Sequence, residues 1–444
     1  MKNIIKASMA ATVALMLSGC TSYEIDMPEN PVAPVVGNEV STNVIYEANP
    51  RFFGSVDCLR NLTAQLDRIS DMGCDILWVM PIYEQGELNS IGSPYCISNF
   101  KGVNVKYGTL EDARTLVNSA HAKGMKVIFD WVANHTSWDH PWIENNPDFY
   151  KHDEDGNIVS PSKDWKDVAQ LDFNNPATCD AMKDAMLYWV KELNIDGYRC
   201  DYAEGVPGDF WSDVISDLEK INQDIIMLAE TSNATFYEYG FDMIYDWNSG
   251  PTISSAFHGG DPSGVVKEAA DALLNVPDGK SILRYAFNHD VAAENDFDTY
   301  FGSADGIPAA YVCASMLNGT PMIYSGMDAT GITGKLSFFN YSSLDFSNDL
   351  SHKYKVINDI FRQTADVRRG QLGDYYSGNS VVCFTRRIPG KTMVVAVNVS
   401  DGTKEVKVPI SLVNTTMSDL ITGKTVNLSY TMEIEAYGYA VLVN

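Results

Sequence analysis

Positive charge is what this chain has least of. Its 444 residues carry 32 lysines and arginines against 58 aspartates and glutamates, a formal net charge of −26. No basic patch can dominate such a surface, which excludes DNA, RNA or another polyanion as the main partner. None of the 8 cysteines stands in a CxxC pair or at zinc-like spacing. Seven follow Cys20, an odd count that argues against a disulfide framework, so most read as small buried hydrophobes. No glycine-rich phosphate cradle follows the first strand-like run, which disfavours a dinucleotide-binding fold. Internal repeats and low-complexity tracts are absent as well. The N-terminal apolar run, Ala7 to Leu17, is shorter than the roughly 20 residues a membrane span needs.

That run is flanked by Lys2 and Lys6 and closes on Leu17-Ser18-Gly19-Cys20, which resembles a lipobox. The expectation is a lipoprotein signal peptide over residues 1–20, with Cys20 as the lipidated first residue of the mature protein. An exported bacterial lipoprotein follows, periplasmic or on the cell surface, held to a membrane by that anchor. Residues 21–42 are polar, with Pro28, Pro31 and Pro34, and read as a flexible tether.

From about Asn43 onward, apolar strand-like runs alternate with amphipathic helical ones. Strands are expected at Val44–Tyr46, Asp75–Met80, Lys126–Asp130, Gly197–Asp201, Ile225–Glu230, Met243–Tyr245, Ile282–Phe287 and Met322–Tyr324. Strands apolar on both faces, separated by helices, imply a parallel sheet. Eight units in some 320 residues predict a closed (β/α)8 TIM barrel over 43–370. After the third strand comes a stretch rich in Trp, Asp, Asn and Pro, read as an insert over 137–175 beside the barrel's active face. From 371 to 444 short β-branched runs and turns such as Pro389-Gly390 predict an antiparallel β-sandwich domain.

Polar residues gather where these strands end. Asp130, Asn134 and His135 follow the third, Arg199 and Asp201 the fourth, Glu230 the fifth, and His289 and Asp290 the seventh. One aspartate after a strand is commonly a helix N-cap, but four such clusters at the end where barrels do their chemistry point to a site. Carboxylates without a serine, cysteine or lysine nucleophile suit glycosyl transfer. One carboxylic acid protonates the leaving oxygen and one carboxylate faces the anomeric carbon. Arg199 stands two residues before Asp201, on the same face of its strand, and is expected to keep that aspartate ionised. Glu230 follows the apolar Ile225-Ile226-Met227-Leu228, where desolvation would raise its pKa toward that of an acid.

These clusters resemble, in order, the four short regions of the alpha-amylase family, glycoside hydrolase family 13. They are Asp130-Trp131-Val132-Ala133-Asn134-His135, Gly197-Tyr198-Arg199-Cys200-Asp201, Leu228-Ala229-Glu230 and Phe287-Asn288-His289-Asp290. Gln170-Leu171-Asp172 resembles a further region in the insert. The resemblance implies Asp201 as nucleophile, Glu230 as general acid/base and Asp290 as stabiliser of the distorted sugar. It implies His135, His289 and Tyr95 as substrate-binding residues beside Arg199, although Cys96 stands where the family usually has aspartate. It also makes Asn134 a calcium candidate. Gln170 and Gly205 replace the aspartate and histidine that calcium-binding members carry, so no cofactor is required. Trp131, Trp138, Trp142 and Trp165 are either sugar platforms or packing for the insert. The implied function is retaining hydrolysis of α-glucosidic bonds in starch-like or malto-oligosaccharide substrates. Alternatives are an exo-α-glucosidase or transglycosylase with the same machinery, or a non-catalytic glycan-binding lipoprotein.

Overall fold

The computed structural model describes residues 31–32, 41–347, 349–374 and 377–444. Eight parallel strands close into a barrel: Ile45–Ala48, Ile76–Val79, Lys126–Trp131, Gly197–Cys200, Ile226–Ala229, Met243–Tyr245, Ser281–Tyr285 and Thr320–Tyr324. The eighth strand pairs with the first, Met322 opposite Ile45, and that pairing completes the ring. The fold is therefore the expected TIM barrel, with strand ends within a few residues of their predicted places.

The twofold alternation of a strand decides what enters the barrel. Ile45, Ile76, Trp78, Ile128, Leu228, Met243, Tyr245 and Leu283 form the interior cluster. Their neighbours Tyr46, Leu77, Val79, Val127 and Met227 pack outward against the helices. Counting on by two from Ile45, Ile128 and Leu228 brings Glu47, Asp130 and Glu230 to the inner face at the strands' C-terminal end. Gly197 permits the close approach of the fourth and fifth strands. It holds φ at +153°, and a Cβ there would lie 1.9 Å from the Ile226 carbonyl oxygen.

The helices carry the expected start signals. Thr109 and Asp112 form a reciprocal capping box on Leu110–His121, and Asn175 caps Pro176–Leu193. The helical pattern from Leu59 to Ile69 resolves into two short helices, Cys58–Thr63 and Leu66–Asp71. The insert folds as a small antiparallel pair, His135–Ser137 with Val168–Gln170, around the short helix Pro141–Asn145.

The C-terminal part is an antiparallel seven-stranded sheet with the separate pair Lys404–Lys407 and Thr431–Ile434. A second apolar cluster, including Val381, Val394, Val406, Ile434 and Leu442, fills the space between them. Within the segment expected to be a tether, Pro31–Val32 pairs with Leu372 and Gly373 at the sheet's edge, so that part is anchored. The lipobox and Cys20 lie outside the described residues. Among the described residues no helix is long and apolar enough to cross a membrane.

Candidate active site

One guanidinium organises the cleft end of the barrel. Arg199 is wholly buried and contacts Asp130 Oδ1 at 2.8 Å, Asp201 Oδ1 at 3.1 Å and Glu230 Oε1 at 2.8 Å. The rings of Trp78, Tyr95 and Tyr245 surround it at 5.2–5.8 Å. Backbone ladders fix the two nearest carboxylates: Asp201 N–H donates to Trp131 O at 2.8 Å, and Glu230 N–H to Cys200 O at 3.0 Å. Glu230 Oε2 accepts a further hydrogen bond, 2.5 Å, from the amide of Tyr202.

Tyr95 and His289 form the opposite wall. Their rings stack at 5.6 Å, and the Tyr95 hydroxyl lies 3.1 Å from Asp130 Oδ2 and 2.9 Å from His289 Nε2. His289 Nε2 is 3.4 Å from Asp290 Oδ1, while its Nδ1 is 2.6 Å from Glu47 Oε1. Cys96, the departure after Tyr95, is buried and donates to the Asp167 carbonyl at 3.2 Å. Asp201, Glu230, Asp290, Tyr95, His135 and His289 all line one cleft of about 520 Å³. The barrel thus brings together every residue singled out for catalysis or substrate binding.

The charges interact strongly. Burial first, then the neighbouring Glu230, push the Asp201 carboxyl well above the usual range, and Arg199 only partly opposes them. The expectation that Arg199 alone would keep Asp201 ionised therefore needs correcting for the second carboxylate. Glu230 is raised by burial, with Arg199 opposing and Asp290 adding to the rise, in the direction its apolar approach suggested. Burial lowers His135 to about 4, so it is a neutral imidazole in the cleft.

The calcium question turns on donors. Asn134 Oδ1 is buried without a partner. However, Gly205 offers no side chain, and among the described residues no group of three Asp, Glu, His or Cys could hold a metal. A single neutral amide oxygen does not fit a cation that takes six to eight oxygens. Of the four tryptophans, Trp165 lines the cleft, with its ring edge-on to Tyr202 at 5.1 Å. Trp131 is core, packed on Tyr83 and Tyr198. Trp142 packs on Phe149 inside the insert, and Trp138 donates to the Lys166 carbonyl.

Sequence reasoning missed Glu47, Tyr202, Trp247, Phe338 and Phe339. Glu47 had a signal, a lone acid two residues after Ile45 at the end of the first strand. Phe338 and Phe339 come from the long loop after the eighth strand, which has no periodicity to read.

A parallel barrel with a carboxylate-rich cleft at its strand ends is an architecture that glycoside hydrolases use. A family model described as alpha amylase, catalytic domain, matches residues 47–240. An alpha-amylase of Haloarcula japonica is 26% identical over 406 residues, which cover 86% of this chain and 58% of that relative. An alpha-1,4-glucan:maltose-1-phosphate maltosyltransferase of Picrophilus torridus is 29% identical over 46% of this chain and 36% of its own length. The crystal structure of an alpha-amylase from Lactobacillus plantarum superposes with a TM-score of 0.81 at 25% identity, covering 91% of this chain and 99% of the other. By these likenesses the chain resembles the alpha-amylase family, in sequence over residues 47–240 and in fold over 91% of its length.

Proposed function

We propose that this protein hydrolyses α-glucosidic bonds of starch-like or malto-oligosaccharide substrates with retention of anomeric configuration. The observation that carries the reading is the Arg199 bridge between Asp201 and Glu230. Two carboxyls on neighbouring nitrogens of one guanidinium fit the retaining geometry, in which they stand about 5 Å apart.

An oxygen of Asp201 attacks the anomeric carbon as the glycosidic bond breaks, and Glu230 gives its proton to the leaving oxygen. Water then loses a proton to Glu230 and its oxygen displaces Asp201, which leaves as carboxylate. The positive charge that develops on the sugar in both steps favours the ionised form of Asp201, against the burial that raises its pKa. Asp290, beside His289, holds the distorted ring. His135, Tyr95 and His289 bind the sugar that is cleaved.

The Picrophilus relative is a maltosyltransferase, and the same two half-reactions yield transfer when a sugar hydroxyl replaces water. Incubation with starch, pullulan and maltoheptaose, read by product size and by NMR of the new anomeric centre, separates these outcomes. Retained anomers and loss of turnover in both Asp201→Asn and Glu230→Gln, with the fold intact, are expected. Inverted products, or near-normal activity in either variant, would rule out the assigned roles. Starch binding without any release of reducing sugar would mark a glycan-binding protein instead.

The lipobox supports a second part of the reading, a lipid anchor at Cys20 that fixes the enzyme to a bacterial membrane as an exported lipoprotein. Incorporation of a labelled fatty acid into the wild type but not into Cys20→Ala tests it.

A further inference from the structure

Glu47 does not itself line the cleft. Its side chain is fully buried, and Oε1 lies 2.6 Å from His289 Nδ1. Its other oxygen, Oε2, has no hydrogen-bond partner in the protein. Burial of an ionised group is costly unless it is paired, so this acid has a partner to serve.

The hydrogen-bond pattern around His289 identifies that service. The Tyr95 hydroxyl has one hydrogen, and it points to Asp130 Oδ2, 3.1 Å away. Asp130 is in turn held by Arg199 and by the indole N–H of Trp78, so its carboxylate accepts on both oxygens. With its hydrogen spent, the Tyr95 oxygen can only accept from His289 Nε2 at 2.9 Å. Glu47, as carboxylate, can only accept from Nδ1. Both ring nitrogens then donate, and the ring is an imidazolium. We propose that Glu47 is a positioning residue, the buried counter-ion that keeps His289 doubly protonated and turns its Nε2–H toward the Tyr95 oxygen at the wall of the cleft, with the charge beside Asp290.

The surrounding charges agree in direction at His289, and although burial raises Glu47 above its ordinary range, the His289 charge and then Arg199 oppose that rise. Burial alone would lower His289, but Asp290 and Glu47 raise it to about 9, with Arg199 opposing. Asp201 and Glu230 also feel its charge, each being lowered by it. A fixed cation at this point opposes the rise that burial imposes on Asp201, the carboxylate that must be ionised to attack. Glu47 thus acts on the reaction through His289 without touching substrate.

The proposal rests on the glycosidase reading for its effect on turnover, but its central test does not. The whole protein, labelled with 15N-histidine, has seven histidines, and His289→Asn identifies the resonance. In the wild type both nitrogens of His289 should carry hydrogens at about pH 8, where an ordinary imidazole is neutral. Glu47→Gln should bring its titration down by a unit or more. The alkaline limb of kcat/KM should move with it, and KM for maltoheptaose should rise more than kcat falls. A merely structural role would lower the melting temperature without moving the titration. A neutral His289 in the wild type at that pH, or a titration unchanged in Glu47→Gln, overturns the proposal. If Glu47→Gln does not fold, the wild-type spectrum alone decides. A wild type inactive on every glucan would defeat the proposed function while leaving the titration to judge Glu47.

Discussion

The amide of Tyr202 reaches Glu230 Oε2 only because Tyr202 is in the left-handed region, at φ 39° and ψ 53°. A residue with a bulky side chain pays about 1–2 kcal/mol for that conformation. The turn places an N–H on the expected acid/base, while the tyrosine ring projects into the cleft, 41% exposed, beside Trp165.

Tyr202→Gly should separate the two contributions. Glycine keeps the N–H and removes the backbone strain, so the melting temperature should hold or rise. The lost ring should raise KM for maltoheptaose several-fold while kcat stays within about threefold of wild type. Steady-state kinetics on oligosaccharides of increasing length measure the split. A large fall in kcat with KM unchanged would mean that the ring serves the chemical step.

Arg199 should be the least replaceable residue of the cleft. Arg199→Met removes the one cation that Asp130, Asp201 and Glu230 share, leaving a wholly buried aspartate without its counter-ion. Breaking a buried pair in this way costs about 3–5 kcal/mol. Urea unfolding should register that loss, and turnover should fall by a thousandfold or more. A variant of wild-type stability would show that the buried carboxylate does not depend on Arg199 as its counter-ion.

Acid stability follows from two imidazoles. His135 and His140 are held down to about 4 by burial. An unfolded chain binds a proton at each near the ordinary value of 6.5, whereas the folded chain does not until about 4. Between these values the unfolded state holds more protons, so stability falls as the pH drops, by about 3 kcal/mol per imidazole at most. His140 caps Pro141–Asn145 through Nδ1, and asparagine keeps an acceptor there. His140→Asn should therefore flatten the decline in unfolding free energy from pH 6.5 to 4. An identical decline in wild type and variant would remove His140 as its cause.

The barrel was legible because its strands are buried on both faces and written largely as apolar runs, such as Ile76 to Val79, several of them ending in a polar residue. The cleft was legible for the same reason: Asp130, Arg199, Asp201 and Glu230 sit where those runs stop. Glu47 escaped because it follows an apolar stretch of only three residues, where an acid reads as the end of a strand rather than its inward-facing third residue. The coupling between Asp201 and Glu230 depends on a distance between two strands, which spacing along one strand does not contain. Trp131 and Trp165 look alike in sequence. Their different fates, core and cleft, follow from their positions, one on the third strand and the other in the insert loop.

Gly205 shows how tightly the wall behind Tyr202 is packed. A Cβ there would lie 2.5 Å from Asn134 Oδ1 and 2.6 Å from the Tyr202 ring. Asn134 is buried at the start of the insert, so the ring is the part able to move, and moving it disturbs the turn that presents the Tyr202 amide to Glu230. Gly205→Ala should cost about 1–3 kcal/mol through overpacking. Its larger effect should be on kcat, at least tenfold, because the hydrogen bond to Glu230 lengthens. Combining it with Tyr202→Gly should recover most of that loss, since the clashing ring is gone. A double variant no more active than Gly205→Ala would place the damage at Asn134 and His135 instead.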